Sequence, residues 1–417
     1  MIKRQLLKQL KGHLGKKEIT FLVGPRQAGK TTLMLFLKEE LEKQGKKTVF
    51  LNFDIETDRQ YLSSQQKLLR KISLEIGNSK GYVFMDEVQR KEDAGRFLKG
   101  LYDMNLPYKI IVSGSGSVEL REKLHESLAG RKRIFELSTL TFEEFVNYKT
   151  GYKYELKLPD FFALAKEETQ RLLEEYLNFG GYPRVVLEDT KEDKQRIIAE
   201  LYQSYLERDI AYLLGVEKTE EFTSLVRIMA SQIGSLVNIS ELSSSLGISV
   251  ATVKRYLWYM QKTFIFNRVT PFFKNIRKEI SKSSMYYFDD LGMRNYALGT
   301  FGSNLTSGEM GHLFENFVFN ILRETLKDSS DQIHFWRTKD KAEVDFVISS
   351  AIKAIPIEVK YKKLTGTETT RSFQSFLAAY HPEKSYIIHL GSKKKVRKNK
   401  TDVYFLPYFD LLFENLY

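Results

Sequence analysis

The chain has 417 residues, of which 42% are hydrophobic and 13% aromatic, a composition typical of several packed domains rather than of disorder. It contains no cysteine, which excludes disulfides, thiol nucleophiles and cysteine-ligated zinc. The absence of cysteine makes the cytoplasm the default location, and no apolar run approaches the roughly 20 residues of a membrane-spanning helix, so we expect no membrane partner. The formal charge of +12 and the pI near 9.3 favour a polyanionic partner, with nucleic acid the first candidate.

The N-terminal third of the chain alternates short β-rich runs with amphipathic helical stretches. The predicted strands cover residues 19–24, 48–54, 81–88, 109–115 and 133–140. Each run is almost continuously apolar, which is the pattern of parallel strands covered by helices on both faces. The sequence therefore predicts a doubly wound α/β domain over residues 1–145.

The first of these strands runs into the stretch GPRQAGKTT, which opens a helix. The stretch fits G-x-x-x-x-G-K-[ST] without departure and predicts a P-loop NTPase, with ATP bound by Gly24, Pro25, Arg26, Gln27, Ala28, Gly29, Lys30, Thr31 and Thr32. Glycines let backbone N–H groups converge on phosphate oxygens, and the helix N-terminus adds a positive dipole end. We expect Lys30 to reach the β- and γ-phosphates and Thr31 to bind Mg²⁺ through its hydroxyl.

Two carboxylates end the strand in the stretch YVFMDEVQR. Acidic groups at the tip of a buried strand are costly unless a cation or water lies there. Asp86 is expected to hold the Mg²⁺ through water, and Glu87 to polarise the attacking water. A solvated acidic turn is the alternative interpretation.

Small polar residues and arginines follow the next strand. Ser113 or Ser115 is a candidate for contact with the γ-phosphate or the attacking water, although a plain Gly/Ser turn gives the same pattern. Arg131 or Arg133 is a candidate arginine finger on the nucleotide of a neighbouring subunit, and a surface ion pair is the alternative. A signalling GTPase is disfavoured, because the guanine-reading Asn-Lys-x-Asp segment is missing and Glu87 is the wrong water-positioning group.

Residues 146–215 are predicted to form a helical lid that contains the stretch NFGGYPRV, and residues 216–275 to form three helices and a β-wing. Asn238 or Ser240 would cap the second of these helices. The predicted core of this winged helix is Leu242, Leu246, Val253 and Leu257. The residues left near the exposed start of the third helix are Ser249, Thr252, Lys254 and Arg255, which predicts DNA contact. Winged helices also serve as protein-contact modules, so this alternative stays open.

Residues 276–417 return to a mixed α/β pattern with strands at VDFVIS, IPIEVK and SYIIHL. Glu358 and Lys360 alternate on one strand and therefore point to one face. If the neighbouring strand pairs with it, Asp345 meets Glu358 at one end, and the two carboxylates could bind Mg²⁺. Lys360 would then orient the attacking water or stabilise developing charge.

These motifs resemble prokaryotic AAA-type ATPases that carry a winged-helix region and a C-terminal PD-(D/E)xK nuclease-like domain (AAA_14/DUF4143-like). The resemblance rests on the glycine-lysine loop, Asp86-Glu87, the stretches LAGR, GGYPR and YLERDI, and the C-terminal set Glu315, Asp345, Glu358 and Lys360. It implies a restriction-endonuclease-like C-terminal fold and assembly into a homo-oligomer with nucleotide at subunit contacts. Arg184 would then act as a second nucleotide sensor from the lid, or merely cap a turn.

The sequence thus predicts an ATP-binding and ATP-hydrolysing protein that processes DNA, with Mg²⁺ at the ATP site and at a nuclease site. The alternative is an ATP-dependent regulatory switch whose nuclease-like domain binds DNA or protein without cleaving it.

Overall fold

The computed structural model describes residues 2–115, 128–205, 219–273, 283–303, 305–350, 353–414 and 416. The five strands predicted in the N-terminal part are confirmed as one parallel sheet with the order β2-β3-β4-β1-β5. They are β1 (Ile19–Gly24), β2 (Thr48–Asn52), β3 (Gly81–Asp86), β4 (Tyr108–Ser115) and β5 (Lys132–Glu136). The helices among them are α1 (Leu6–His13), α2 (Lys30–Lys43), α3 (Glu56–Arg59), α4 (Gln65–Ile76) and α5 (Ala94–Asp103).

Helices cover both faces of this sheet, as the continuous apolar runs predict. All residues of β1 and β3 are buried. Phe21 lies in a cluster with residues of α4 and α5, whereas the adjacent Leu22 packs with residues of α1 and α2 on the other face. The two opposite packing layers explain why these strands lack alternation of polar and apolar residues.

A helical region follows the sheet, with the bounds α6 (Phe142–Lys149), α7 (Leu158–Leu164), α8 (Lys166–Phe179), α9 (Pro183–Leu187) and α10 (Lys191–Ser204). The next three helices are α11 (Thr219–Ser231), α12 (Ile239–Leu246) and α13 (Val250–Lys262). Asn238, one of the two candidate caps, accepts hydrogen bonds from the N–H groups of Ser240 and Glu241 and so begins α12. Most of the stretch YLERDI lies outside the described residues.

An eight-stranded mixed sheet dominates the C-terminal part, with the order β12-β13-β11-β10-β9-β8-β6-β7. Its strands are β6 (Phe266–Pro271), β7 (Met285–Phe288), β8 (Gln332–Arg337), β9 (Glu343–Ser349), β10 (Ala354–Lys360), β11 (Lys384–His389), β12 (Lys394–Lys398) and β13 (Thr401–Pro407). The helices of this part are α14 (Leu291–Leu298), α15 (Ser307–Leu326) and α16 (Arg371–Tyr380). The three strands predicted here are thereby confirmed as β9, β10 and β11.

The strand β6 falls in the range predicted for the wing. It pairs antiparallel with β7 and parallel with β8, where Thr270 lies opposite His334. The strand is therefore part of the large sheet as well as of a two-stranded ribbon beside α13. At the other edge of the sheet, β12 has the sequence KKVRK, and its Lys395 and Arg397 are exposed.

Candidate functional site

The P-loop lies at the carboxyl edge of the parallel sheet, where β1 ends at Gly24 and α2 begins at Lys30. Gly29 precedes the helix with φ of 95°, a left-handed conformation that glycine adopts without steric cost. A Cβ atom on Gly24 would lie 2.1 Å from the carbonyl oxygen of Leu137, just beyond β5. Both glycines of the motif are thus required by the backbone itself.

Lys30 is 5% exposed, and its ammonium donates hydrogen bonds to the carbonyl oxygens of Gly24 (3.1 Å) and Pro25 (2.8 Å). The side chain therefore turns back into the loop that it ends. A cation held by neutral carbonyls within a loop can transfer to a stronger anionic partner that enters the same loop. This arrangement fits a phosphate.

Asp86 at the end of β3 is buried and joined to α2. The hydroxyl of Thr31 donates to a carboxylate oxygen of Asp86 at 2.6 Å, and the hydroxyl of Ser113 donates to the other oxygen. The predicted pair Thr31 and Asp86 therefore meets, and Ser113 is the serine in contact with it. Hydroxyl and carboxylate oxygens are ligands that Mg²⁺ prefers, so this pair fits that ion. The side chain of Ser115 lies outside the described residues.

Glu87 follows Asp86 in a left-handed conformation with φ of 57°, which directs its side chain into the pocket beside the P-loop. Burial raises the pKa of Glu87 above its ordinary value, although the nearby Lys30 ammonium opposes the shift. The side-chain amide of Gln89 donates a hydrogen bond to the Glu87 carboxylate. A half-buried carboxylate with a raised pKa is suited to accept a proton from water.

A cavity of about 650 Å³ opens over the P-loop and is also lined by residues of α9 and α10. Arg184 of α9 lines this cavity and donates to the side-chain oxygen of Gln27 at 2.9 Å. Of the two interpretations of Arg184, the structure thus favours a position at the pocket.

Sequence reasoning missed Arg4, which also lines the cavity. Its guanidinium donates to the carbonyl oxygens of Ala28 (2.7 Å) and Ser138 (2.7 Å) and pairs with Glu144 at 2.9 Å, with both partners of the pair buried. Arg4 thereby ties the P-loop to the segment after β5 and to α6. The basic, amphipathic start of the chain carried no signal for this role, because the partners are distant in sequence.

The candidate arginine fingers lie at the opposite edge of the sheet. Arg131 immediately precedes β5, so it sits at the amino edge and pairs with Asp103 at 3.0 Å. Arg133 is exposed and its guanidinium lies 5.5 Å from the ring centre of Phe135. Neither arginine lines the pocket of its own chain.

The C-terminal candidates Asp345, Glu358 and Lys360 lie close together, as expected if their two strands are neighbours in the sheet. The strands β9 and β10 pair antiparallel with Phe346 opposite Ile357, so Asp345 and Glu358 follow side by side. A carboxylate oxygen of Asp345 accepts the N–H of Val359 at 2.6 Å. Lys360 pairs with Glu358 at 2.9 Å, on the same face of β10.

The charges of this group influence one another. Burial, followed by the charge of Asp345, raises the pKa of Glu315 on α15 well above its ordinary value. Burial raises the pKa of Asp345 to about 6, while the Lys360 ammonium opposes the shift. Burial alone would lower the pKa of Lys360, but Asp345 and Glu358 raise it. We call Glu315, Asp345, Glu358 and Lys360 the carboxylate cluster.

Further residues, which the sequence did not reveal, complete this cluster. The hydroxyl of Tyr287 on β7 donates to Glu315 at 2.6 Å, and the hydroxyl of Thr370 donates to Glu358 at 3.1 Å. Both oxygens of Glu358 are thus engaged, one by Lys360 and the other by Thr370. Within the described ranges no group of three or more acidic or histidine side chains is arranged to hold a metal ion.

The candidate DNA-contact residues lie at the start of α13. Ser249 caps this helix by accepting the N–H of Thr252 at 3.1 Å. Lys254 and Arg255 are exposed, whereas Val253, which precedes them in the helix, is fully buried in the core. Of the four predicted core residues, Leu242, Val253 and Leu257 are buried and Leu246 is partly buried.

Residues 16–146 match the family model described as an AAA domain. The N-terminal part of the chain is similar to AAA-type ATPases. Two domains of unknown function also match, DUF8612 over residues 170–304 and DUF4143 over residues 310–409. These matches confirm the predicted resemblance for the ATPase part and for the DUF4143 part.

Curated relatives span most of the chain but are themselves uncharacterized. A protein of Haemophilus influenzae is 26% identical and covers 84% of each chain, and one of Methanocaldococcus jannaschii is 28% identical, with 86% of this chain and 78% of the relative aligned. A protein of Mycobacterium tuberculosis is 27% identical over 94% of this chain and 81% of its own.

Solved structures with partial likeness include two of the replication initiator DnaA. The AMPPCP-bound DnaA of Aquifex aeolicus is 15% identical with a TM-score of 0.26, covering 62% of this chain and 86% of that one. DnaA bound to AMPPCP and single-stranded DNA is 14% identical with a TM-score of 0.28, covering 63% and 92%. In the described part of the chain, no helix has both the length and the apolar character needed to cross a membrane.

Proposed function

We propose that the chain binds ATP with Mg²⁺ over the P-loop and hydrolyses it. The observation that carries this proposal is the joint arrangement of Lys30, held by carbonyls of its own loop, and Thr31, bonded to Asp86. The match of residues 16–146 to an AAA domain also supports it. When bound, Mg²⁺ would be held by Thr31 and, through water, by Asp86, and would neutralise phosphate charge.

The protein groups then have distinct roles. Backbone N–H groups at the start of α2 bind phosphate oxygens, and the Lys30 ammonium leaves its carbonyl partners to contact the β- and γ-phosphates. Glu87 accepts a proton from the attacking water, and its raised pKa makes it a stronger base than an exposed glutamate. Arg184 senses the phosphates from the lid, where it replaces its contact with Gln27.

The test is ATP binding and phosphate release measured on the same samples. Lys30→Ala is expected to abolish tight ATP binding, because the ammonium is the cation held inside the loop itself and supplies a charge-assisted contact to the phosphates there. Lys43→Ala, at the exposed end of the same helix, is the matched control and should behave like the wild type. A Lys30→Ala variant that keeps full turnover contradicts the proposal.

We further propose that the nucleotide state governs binding of DNA by α12 and α13. The support is the exposure of Ser249, Lys254 and Arg255 on one end of α13, together with the overall charge of +12. Lysine and arginine contacts to phosphates release counterions, so affinity must fall with salt. Lys254→Ala with Arg255→Ala should lower the slope of log affinity against log salt by about 2, as measured by fluorescence anisotropy. An unchanged slope would remove α13 from the interface.

The carboxylate cluster is our candidate for Mg²⁺-dependent cleavage of DNA, with Asp345 and Glu358 as metal ligands and Lys360 beside the attacked phosphate. Its support is the convergence of two carboxylates and a lysine on neighbouring strands. Linear, supercoiled and branched DNA should be cut with Mg²⁺ or Mn²⁺ by the wild type and not by Asp345→Ala. Equal behaviour of the two proteins would eliminate the nuclease role.

The alternative is a regulatory switch that binds DNA or protein without cleavage. One observation favours it: both carboxylate oxygens of Glu358 already have protein partners, Lys360 and Thr370. Slow ATP turnover stimulated by a partner, with no nicking under either metal, would support the switch.

We also propose that copies of the chain assemble with nucleotide at their contacts. The support is the placement of Arg131 at the amino edge of the sheet, opposite to the P-loop, which keeps it away from the nucleotide site of its own chain. Light scattering with and without an ATP analogue should show larger particles with the analogue. Arg131→Ala should lower turnover while leaving ATP affinity of the monomer unchanged.

A further inference from the structure

Close backbone contacts join the lid to two other parts of the molecule. A Cβ atom on Gly181 would lie 2.4 Å from the carbonyl oxygen of Leu140, in the segment after β5. A Cβ atom on Gly292, in α14, would lie 2.1 Å from the carbonyl oxygen of Phe179 at the end of α8. Real Cβ atoms do not approach other atoms so closely, so each contact admits glycine alone.

Asp290 holds the same loop through hydrogen bonds. Its buried carboxylate accepts the N–H of Gly181 at 2.8 Å and the N–H of Met293 at 3.0 Å, and the second bond caps α14. A Cβ atom on Gly180 would lie 2.3 Å from an oxygen of Asp290. One carboxylate thus fixes both the start of α14 and the backbone that leads into α9.

Helix α14 is itself fixed on its other sides. Asn295 is fully buried, and its amide donates to the carbonyl oxygens of Leu177 (3.0 Å) and Asn178 (2.9 Å) at the end of α8. The guanidinium of Arg294 is buried and donates to the carbonyl oxygen of Ala230 in α11 at 2.8 Å. Because these contacts anchor α14, Asp290 acts as a fixed point against which the loop at Gly181 is held.

The loop so held leads within a few residues to the nucleotide pocket. Pro183 begins α9, and Arg184 next to it reaches Gln27 of the P-loop. We propose that Asp290 is a positioning residue that, through Gly180 and Gly181, places Arg184 over the bound triphosphate. This inference rests on the ATP-binding function proposed above and assigns to the DUF8612 region the task of setting the lid.

A double-mutant cycle of nucleotide affinity tests the proposal. The dissociation constant of a magnesium complex of a non-hydrolysable ATP analogue is measured for wild type, Asp290→Ala, Arg184→Ala and the double variant. Each single change should weaken binding about tenfold, the size expected when a hydrogen bond to a charged group is lost. The double variant should be no weaker than the singles, because Asp290 acts only through Arg184.

Two further proteins separate positioning from general stability. Thr306→Ala removes the cap of α15 at a site remote from the lid, and should leave the affinity unchanged despite a similar loss of helix capping. Asp290→Asn keeps an acceptor oxygen for the cap, so it should fold even where Asp290→Ala does not, and weaken binding only about threefold.

The outcomes are separable. An affinity about a hundredfold weaker in the double variant would mean that the two residues act independently, and it would overturn the role of Asp290. Wild-type affinity in both Asp290 variants would overturn that role too. Neither result would contradict the proposed ATP site. Failure of the wild-type protein to bind the analogue overturns the proposed function and this inference together. Coupled losses, with Thr306→Ala unaffected, support it.

Discussion

In the P-loop the polar groups come from residues 24–32 of one contiguous segment, whereas the carboxylate cluster takes its side chains from α15, β9 and β10. The P-loop is shaped by backbone, and its cation rests on carbonyl oxygens. The carboxylate cluster is shaped by side chains from separate elements, where burial and the charge of Asp345 raise the pKa of Glu315, and burial raises the pKa of Asp345 against the opposing charge of Lys360. The P-loop therefore tolerates few substitutions that alter its backbone. The carboxylate cluster instead holds neighbouring acidic groups whose mutual repulsion a bound cation or a substitution can relieve.

The largest effect is expected at the proposed base of the backbone-shaped site. Glu87→Gln should lower ATP turnover by about a hundredfold or more, because the amide cannot accept the proton from water. Affinity for ATP should stay close to that of the wild type, so the nucleotide remains bound without hydrolysis. Phosphate release and equilibrium binding measure the two quantities, with the exposed Glu92→Gln as control. Equal turnover in both variants would refute the role of Glu87.

The backbone itself is the next target. Gly24→Ala should cost about 2 kcal/mol or more of the free energy of unfolding and weaken ATP binding, because the added methyl would lie 2.1 Å from the carbonyl oxygen of Leu137. Gly12→Ala is the matched control, since nothing lies within 4 Å of its added Cβ. Chemical denaturation of both variants gives the free energy of unfolding, and nucleotide titration gives the ATP affinity. The idea fails if Gly24→Ala is as well tolerated as Gly12→Ala.

In the carboxylate cluster, a substitution should raise the stability of the fold, whereas Gly24→Ala lowers it. The pKa of Asp345 is raised by burial to about 6, so this group favours folding at low pH and the benefit is lost as pH rises towards 6. Asp345→Asn should therefore raise the melting temperature at pH 7 by a few degrees and flatten the fall in stability between pH 4 and pH 6. Differential scanning calorimetry across that range is the measurement. If Asp345→Asn is instead less stable than the wild type at pH 7, the contacts of the Asp345 carboxylate stabilise the fold by more than its burial destabilises it, and the prediction is wrong.

The smallest effect is expected for a single supporting hydrogen bond. Tyr287→Phe removes the donor to Glu315 and should cost about 1 kcal/mol of stability without altering ATP affinity. The same change in a Glu315→Gln background should cost less, because the carboxyl acceptor has already been replaced by an amide. Urea unfolding of the four proteins gives the coupling. Equal losses in both backgrounds would mean that the hydroxyl does not support Glu315.

The different construction of the two sites explains how far each could be predicted from the sequence. The P-loop motif lies in consecutive residues, so Lys30, Thr31 and the strand before them follow from spacing alone. Asp345 and Glu358 could also be paired, since alternation along a strand fixes their faces. Tyr287 could not be anticipated, because a tyrosine on a buried strand has no pattern that distinguishes it from a core residue.

The contacts that join regions were the least predictable. Arg4 reaches Ala28 and Glu144 from the segment just before α1, and Asp290 reaches Gly181 across 109 residues of chain. The stretch GGYPR contributes to the family resemblance, but the need for its two glycines becomes clear only from the atoms that lie close to them in the fold. The positive φ of Glu87 likewise has no signal, because glutamate rarely adopts that conformation.

The outer strand β12 has a consequence for handling the protein at high concentration. A sheet that ends in an open strand can recruit the open strand of another molecule and grow into aggregates. Here that border carries Lys395 and Arg397, which point away from the interior, so two such borders repel one another. High salt screens that repulsion, so aggregation through paired edge strands should first become visible there.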